Sequence, residues 1–241
     1  MRLTKMGHAC VRLEKDGEIL VIDPGILTEP EALDGAEAVL ITHEHPDHVD
    51  RDRLKIAAQR APQLEIWTTP ALAGQLEGLG ANVHAVGGGD AFGAAGFDVG
   101  VFGELHAVIN PAWPRVANVG FLIDGTTFHP GDAYTVPEAS VETLLLPTSA
   151  PWLKAPEFID YLAELSPRRA YSVHDGFLNE TGLALVDGIL GSLAEERHAD
   201  IRRLEPGVGR PTLIGCSAAR TWEGRAPTGP ATLAVRGSER V

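Results

Sequence analysis

Two cysteines in 241 residues, Cys10 and Cys216, are too few to make a disulfide framework. Cys10 falls in the first strand pattern, where a small buried thiol is the expected role, and neither cysteine stands out as a nucleophile. The chain also lacks any apolar stretch of the roughly 18 residues that a membrane span requires. Its start, Met1-Arg2-Leu3-Thr4-Lys5, runs directly into a strand pattern without the apolar region of a signal peptide, so a cytoplasmic protein with no membrane partner is expected. Cations are scarce as well. Twenty Lys and Arg face 33 Asp and Glu, a formal net charge of −13. That balance argues against nucleic acid as the main partner, because affinity for a polyphosphate comes largely from clustered Lys and Arg. No internal repeat is evident.

What is present is ordinary for a soluble enzyme: 44% apolar and 22% charged residues, in a chain long enough for one large domain with a buried core. Residues 1–204 read as that domain. Residues 205–241, rich in Gly, Pro, Ala and Arg, read as a mobile extension with a short strand at 231–235 and nothing catalytic. Within the domain, residues 2–22 alternate around Lys15-Asp16-Gly17-Glu18, a hairpin signal. Strands at 38–41, 64–68 and 82–86 alternate with helices at 50–60 and 70–79. The Gly-punctuated stretch 91–106 and the runs 116–123 and 126–129 suggest antiparallel strands of a second sheet. A strand at 141–146, a helix at 156–165, a strand at 169–173 and a helix at 179–194 complete the pattern.

The densest chemistry lies in Thr42-His43-Glu44-His45-Pro46-Asp47-His48, directly after the apolar run Ala38-Val39-Leu40-Ile41. Imidazoles and a carboxylate are ready ligands for divalent metals, and a loop leaving a buried strand is where α/β architectures usually hold ligands. His43 and His45, two apart, can point to one side, whereas Asp47 and His48 must diverge after Pro46 turns the chain. That spacing suits two neighbouring metals better than one.

The string His43-x-His45-x-Asp47-His48 resembles the signature of the metallo-β-lactamase superfamily. Further segments follow in the order that family requires: Glu104-Leu105-His106-Ala107, His129-Pro130-Gly131-Asp132-Ala133 and Ser172-Val173-His174-Asp175-Gly176, with Val21-Ile22-Asp23-Pro24-Gly25 upstream. The resemblance implies an α/β fold, a four-layer αββα sandwich. It also implies a ligand set in which His43, His45 and His106 hold one metal, Asp47, His48 and His174 hold a second, and Asp132 bridges them. Asp23 would orient the metal loop through hydrogen bonds, with His129 in a similar supporting position. Met6-Gly7-His8-Ala9 and the short insertions look most like the compact subfamily that includes the ascorbate-6-phosphate lactonases. His45 stands where the flavodiiron oxygen reductases of this fold carry glutamate, which disfavours redox chemistry.

The expected cofactors are two divalent ions. Zinc suits nitrogen and oxygen donors without thiolate, and manganese or iron also fits. Such a pair would share a hydroxide as nucleophile, with Asp47 and Asp132 as catalytic carboxylates and Asp47 passing the proton to the leaving group. The leading expectation is a hydrolase of a small molecule, such as a phosphorylated lactone or ester. A phosphodiesterase of the same fold and a non-catalytic metal-binding module are the alternatives. Trp113, Arg115 and Asn118 offer an aromatic wall, a cation and an amide as substrate contacts, and Trp152 with Lys154 a second such set. His8 reads equally as a core histidine or a group near the site mouth. Similar family members often form homo-oligomers.

Overall fold

A computed structural model describes residues 1–211 of the chain. Cys216 and the strand read at 231–235 lie outside the described residues. In the first sheet, β1 (Arg2–Lys5), β2 (Val11–Lys15) and β3 (Glu18–Ile22) form an antiparallel meander, continued in parallel by β4 (Ala38–Ile41), β5 (Glu65–Thr68) and β6 (Asn82–Ala85). The β2–β3 turn places Asp16 and Gly17 at φ 54° and 92°, the left-handed pair a two-residue hairpin turn needs. Helices α1 (Arg51–Arg60) and α2 (Pro70–Gln75) are the crossovers, α1 being capped by the Asp50 carboxylate, which accepts from the Arg53 amide.

The second sheet repeats this plan. β7 (Ala91–Ala94), β8 (Phe97–Phe102), β9 (Gly120–Ile123) and β10 (Thr127–His129) are antiparallel, and β11 (Thr143–Pro147), β12 (Arg169–Val173) and β13 (Asp200–Arg203) follow in parallel. Helices α3 (Ala155–Leu165) and α4 (Glu180–Arg197) make its crossovers. The chain then returns to the first sheet, where β14 (Gly209–Pro211) pairs with β1.

Alternation along the strands produces the layers. Leu20, Ile22 and Leu40 of the first sheet meet Phe97, Val99, Phe121 and Tyr171 of the second in a central core. The intervening Val21, Val39 and Ile41 face outward onto Leu54 and Leu72 of the first pair of helices. On the other side, Leu144, Leu146 and Ala170 pack against Phe158, Leu162 and Leu190. Parallel strands covered on both faces favour apolar residues on both sides, which is why 38–41 and 144–147 are continuous apolar runs. Truncating a core side chain such as Leu40 to Ala costs about 2–5 kcal/mol. The result is an αββα sandwich.

Some boundaries differ from the sequence reading. Helix α2 ends at Gln75 rather than near residue 79, and Gly78 and Gly80 take left-handed φ of 78° and 90° just beyond it. Strand β9 begins at Gly120 because residues 116–118 bond instead to the loop before it: the His106 amide donates to the Val116 carbonyl, and the Asn118 amide to that of Glu104. β13 and β14 escaped the reading. No helix among the described residues is long and apolar enough to cross a membrane.

Candidate metal centre

Chemistry-bearing side chains gather at the ends of strands. Asp23 follows β3, the 42–48 loop follows β4, His106 follows β8, Asp132 follows β10 and His174 follows β12. Three groups of residues bring donor atoms within 4.8 Å of one another: His43, His45 and His106; His8, Asp47, His48 and His174; and His43, His48 and Asp132. The structure therefore brings together all seven residues of the ligand set implied by the resemblance. Asp132 sits at the centre. Its carboxylate lies 3.1 Å from His48 Nε2, 3.3 Å from His106 Nε2 and 3.0 Å from His174 Nε2.

The far side of each ring explains how those nitrogens are aimed. His48 Nδ1 lies 2.7 Å from Asp23 Oδ2, His106 Nδ1 2.6 Å from the Ala107 carbonyl and His174 Nδ1 2.6 Å from the Ser149 carbonyl. Carbonyls and carboxylates only accept, so each Nδ1 carries a proton, and in the neutral ring each Nε2 presents its lone pair to the centre. These three Nε2 atoms and Asp132 Oδ1 are buried without a hydrogen-bond partner. Such atoms are costly to leave unpaired, and divalent cations between them would satisfy all four. The donor set fits: mixed nitrogen and oxygen, with Cys10 buried elsewhere in the core of the first sheet.

Electrostatics point the same way. Burial alone would raise Asp132, yet His48, His106 and His174 hold it well below the ordinary carboxylate value. Asp47, also pushed up by burial, is drawn down to about 2 by His8, His48 and His174. Burial would lower His48, but Asp132 and Asp23 together raise it well above 6.5. Burial lowers His8, His45 and His129, and takes His43 well below its ordinary value. The centre thus holds negative carboxylates among mostly neutral imidazoles, the protonation state in which these groups bind metals.

Supporting contacts fix the loops. Asp23 accepts from the Thr42 amide at 2.7 Å and its hydroxyl at 2.8 Å while holding His48. Asp23 and His174 are themselves in left-handed backbone, φ 50° and 60°, local strain that the surrounding bonds must maintain. His129 donates from Nε2 to the Ala9 carbonyl and accepts the Gly131 amide at Nδ1, steadying the turn into Asp132. Gly131 is left-handed at φ 63°, and a Cβ there would meet Asn118 Oδ1 at 2.4 Å.

One anticipated substrate contact has another duty, and a second is partly committed to backbone while lining the cavity beside His45 and His106. Asn118 is fully buried, its amide donating to the Pro130 carbonyl and accepting from the Asp132 amide, so it builds the Asp132 turn and cannot reach a substrate. Arg115 turns Nε and one Nη back onto the carbonyls of His106 and Leu105. Trp113, by contrast, is 62% exposed beside the site. Lys154 is solvent-exposed, 4.0 Å from Glu157.

His8, read equally as a core histidine or a group near the site mouth, and Trp152, read with Lys154 as a substrate contact, both sit against the centre. His8 is buried, accepts the Gly176 amide at Nδ1, and so bears its proton on Nε2, 3.3 Å from Asp47 Oδ2 and off the ideal hydrogen-bond axis. Trp152 donates its indole N–H to Asp132 Oδ2 at 2.9 Å. Neither has a local signal, since the partners lie 168 and 20 residues away.

A cavity of about 170 Å³ opens beside His45 and His106. A larger one of about 400 Å³, between Leu33 and Arg60, contains none of these residues. Convergence of donors, not cavity size, locates the chemistry.

A family model for the beta-lactamase superfamily domain matches residues 2–174. Protein Rv0786c of Mycobacterium tuberculosis is 38% identical over 184 residues, 74% of this chain and 85% of its own. A UPF0173 metal-dependent hydrolase of Aeropyrum pernix is 36% identical over 81 residues, 31% of this chain and 33% of its own. Among solved structures, Igni18, a metallo hydrolase of Ignicoccus hospitalis, shares the fold with a TM-score of 0.66 at 20% identity, covering 88% of this chain and 99% of that one.

Proposed function

Because this chain belongs to the beta-lactamase superfamily, we propose that it is a metal-dependent hydrolase with two adjacent divalent-ion positions, acting on a small ester or lactone. One observation carries the reading: buried imidazole Nε2 atoms, each aimed by an oxygen at its own Nδ1, converge unpaired on Asp132. His43, His45 and His106 would hold one ion, Asp47, His48 and His174 the other, with Asp132 shared. Bound there, the ions would supply a water of near-neutral pKa and Lewis acidity toward the substrate oxygen.

The chain's own groups do the rest. Asp47 is the more open of the two carboxylates, its side chain 18% exposed against 4% for Asp132. It is therefore placed to take the proton from the attacking water and give it to the leaving oxygen as the acyl C–O bond breaks. His8, with Nε2 3.3 Å from Asp47 Oδ2, would help to position Asp47 electrostatically. Trp152 steadies Asp132 and, with Tyr134 5.2 Å away ring to ring, walls one side of the site.

Elemental analysis of protein purified without chelator, paired with hydrolysis of lactones, carboxylic esters and bis-p-nitrophenyl phosphate before and after chelation, tests the proposal. About two zinc, manganese or iron ions per chain and chelator-sensitive ester or lactone turnover are expected. Turnover of the phosphodiester alone would replace the substrate assignment, and bound metal without any turnover would replace the enzyme with a binding module.

A further inference from the structure

Globular proteins normally scatter their exposed apolar side chains. Here six of the ten exposed large apolar side chains among the described residues lie on segments that carry site residues. Leu105, Val108, Ile109 and Trp113 lie on the segment around and after His106, Val136 follows Asp132, and Phe177 follows His174. Phe177 is 60% exposed, and its ring stands 4.8 Å from that of His8. The cavity of about 170 Å³ runs from the imidazoles of His45 and His106 to Ile109, Trp113, Pro114 and Val116. At about 30 Å³ per water-sized group, it has room for about five or six such groups, enough for a short to medium chain.

Charge narrows the occupant. Among the described residues, Arg115 is the one cation lining the groove, and backbone carbonyls hold two of its three guanidinium nitrogens in place. Lys5, near His174, is buried against Asp175. We infer that this groove is an acyl-binding subsite and that the preferred substrates are neutral esters or lactones with a medium apolar chain, not sugar phosphates. The inference rests on the hydrolase reading of the adjacent centre.

The test uses zinc- or manganese-loaded full-length protein and p-nitrophenyl esters from acetate to octanoate, with a hexanoate compared against the equally long ester ending in a carboxylate. The ratio kcat/KM should rise roughly threefold to fourfold per methylene up to about six carbons, and the neutral hexanoate should exceed its charged counterpart at least about tenfold. Ile109→Asp and, separately, Trp113→Ala should flatten the chain-length slope, with metal content confirming that each variant is folded. Calorimetric binding of the free n-alkanoates provides a readout independent of turnover, and its affinity should climb along the same series. Turnover with a flat slope, or with preference for the charged ester, overturns the inference and leaves the hydrolase intact. Chain-length-dependent binding without turnover of any ester supports the groove and overturns the hydrolase. Neither turnover nor length-dependent binding rejects both.

Discussion

The two sheets furnish the centre in opposite ways. The first places four donors between His43 and His48 on one loop, organised by a single buried carboxylate: Asp23 binds the Thr42 amide, the Thr42 hydroxyl and the His48 ring. The second contributes one donor from each of three loops, and each has its own support. His106 leans on the Ala107 carbonyl, Asp132 on Asn118, and His174 on the Ser149 carbonyl. Concentration makes a loop economical and fragile, since one side chain governs it. Distribution makes each ligand independent, and spreads the damage of any one substitution thinly.

Asp132 is the exception that joins both regimes, so Asp132→Ala should have the largest effect. Loss of at least about 10³-fold in kcat/KM is expected, together with reduced metal by elemental analysis, and full activity in this variant would remove Asp132 from the centre. The comparison itself is tested next. Asp23→Asn should weaken metal affinity by about 10–100-fold, measured by competition with a chromogenic chelator, whereas Asn118→Ala should fall at or below the lower end of that range. Equal losses would show that the first loop is no more dependent on one group than the second sheet's loops are.

Protonation sharpens the contrast further. In the metal-free chain, His8, His43, His45 and His129 resist protonation in the native state, so their contribution to stability declines as pH drops below the ordinary 6.5. His48 has the opposite sign. Its raised value stabilises the fold below 6.5 and that contribution is lost as pH rises through its native pKa. The melting temperature of metal-free protein should therefore peak near pH 6.5 and fall by a few degrees on either side. Metal should abolish the alkaline decline, because ligation needs His48 neutral. A melting profile that is flat with pH, or an alkaline decline that persists with metal, would contradict the assigned role of His48. Smallest of all, Lys154→Ala should change KM less than about twofold, its ammonium being solvent-exposed; a larger rise would give it a substrate contact.

How much could be read in advance follows from the same contrast. The 42–48 loop announces itself because its donors are adjacent in sequence, and the β2–β3 turn because Asp16-Gly17 carries its own backbone preference. His106, Asp132 and His174 are single residues in separate segments, and only their order relative to a known family singled them out. The work of Asn118 and Arg115 was not legible. An amide or a guanidinium in an irregular segment reads as a ligand contact, and what commits them to the backbone is a loop closure that no local pattern encodes. His8 was ambiguous for the same reason, as its partners Gly176 and Asp47 come from both halves of the chain.

The loops of the two sheets are also stitched to each other. The Val119 amide donates to the Thr42 carbonyl and the His174 amide to that of His8, while the His129 ring reaches the Ala9 carbonyl. These bonds cross the seam between sheets at the edge where the donors converge. Neither half can open there alone, so the seam amides of Val119 and His174 should exchange with solvent only when the whole domain unfolds. On the proposed reading, metal acquisition and the docking of one half on the other would then be a single cooperative event.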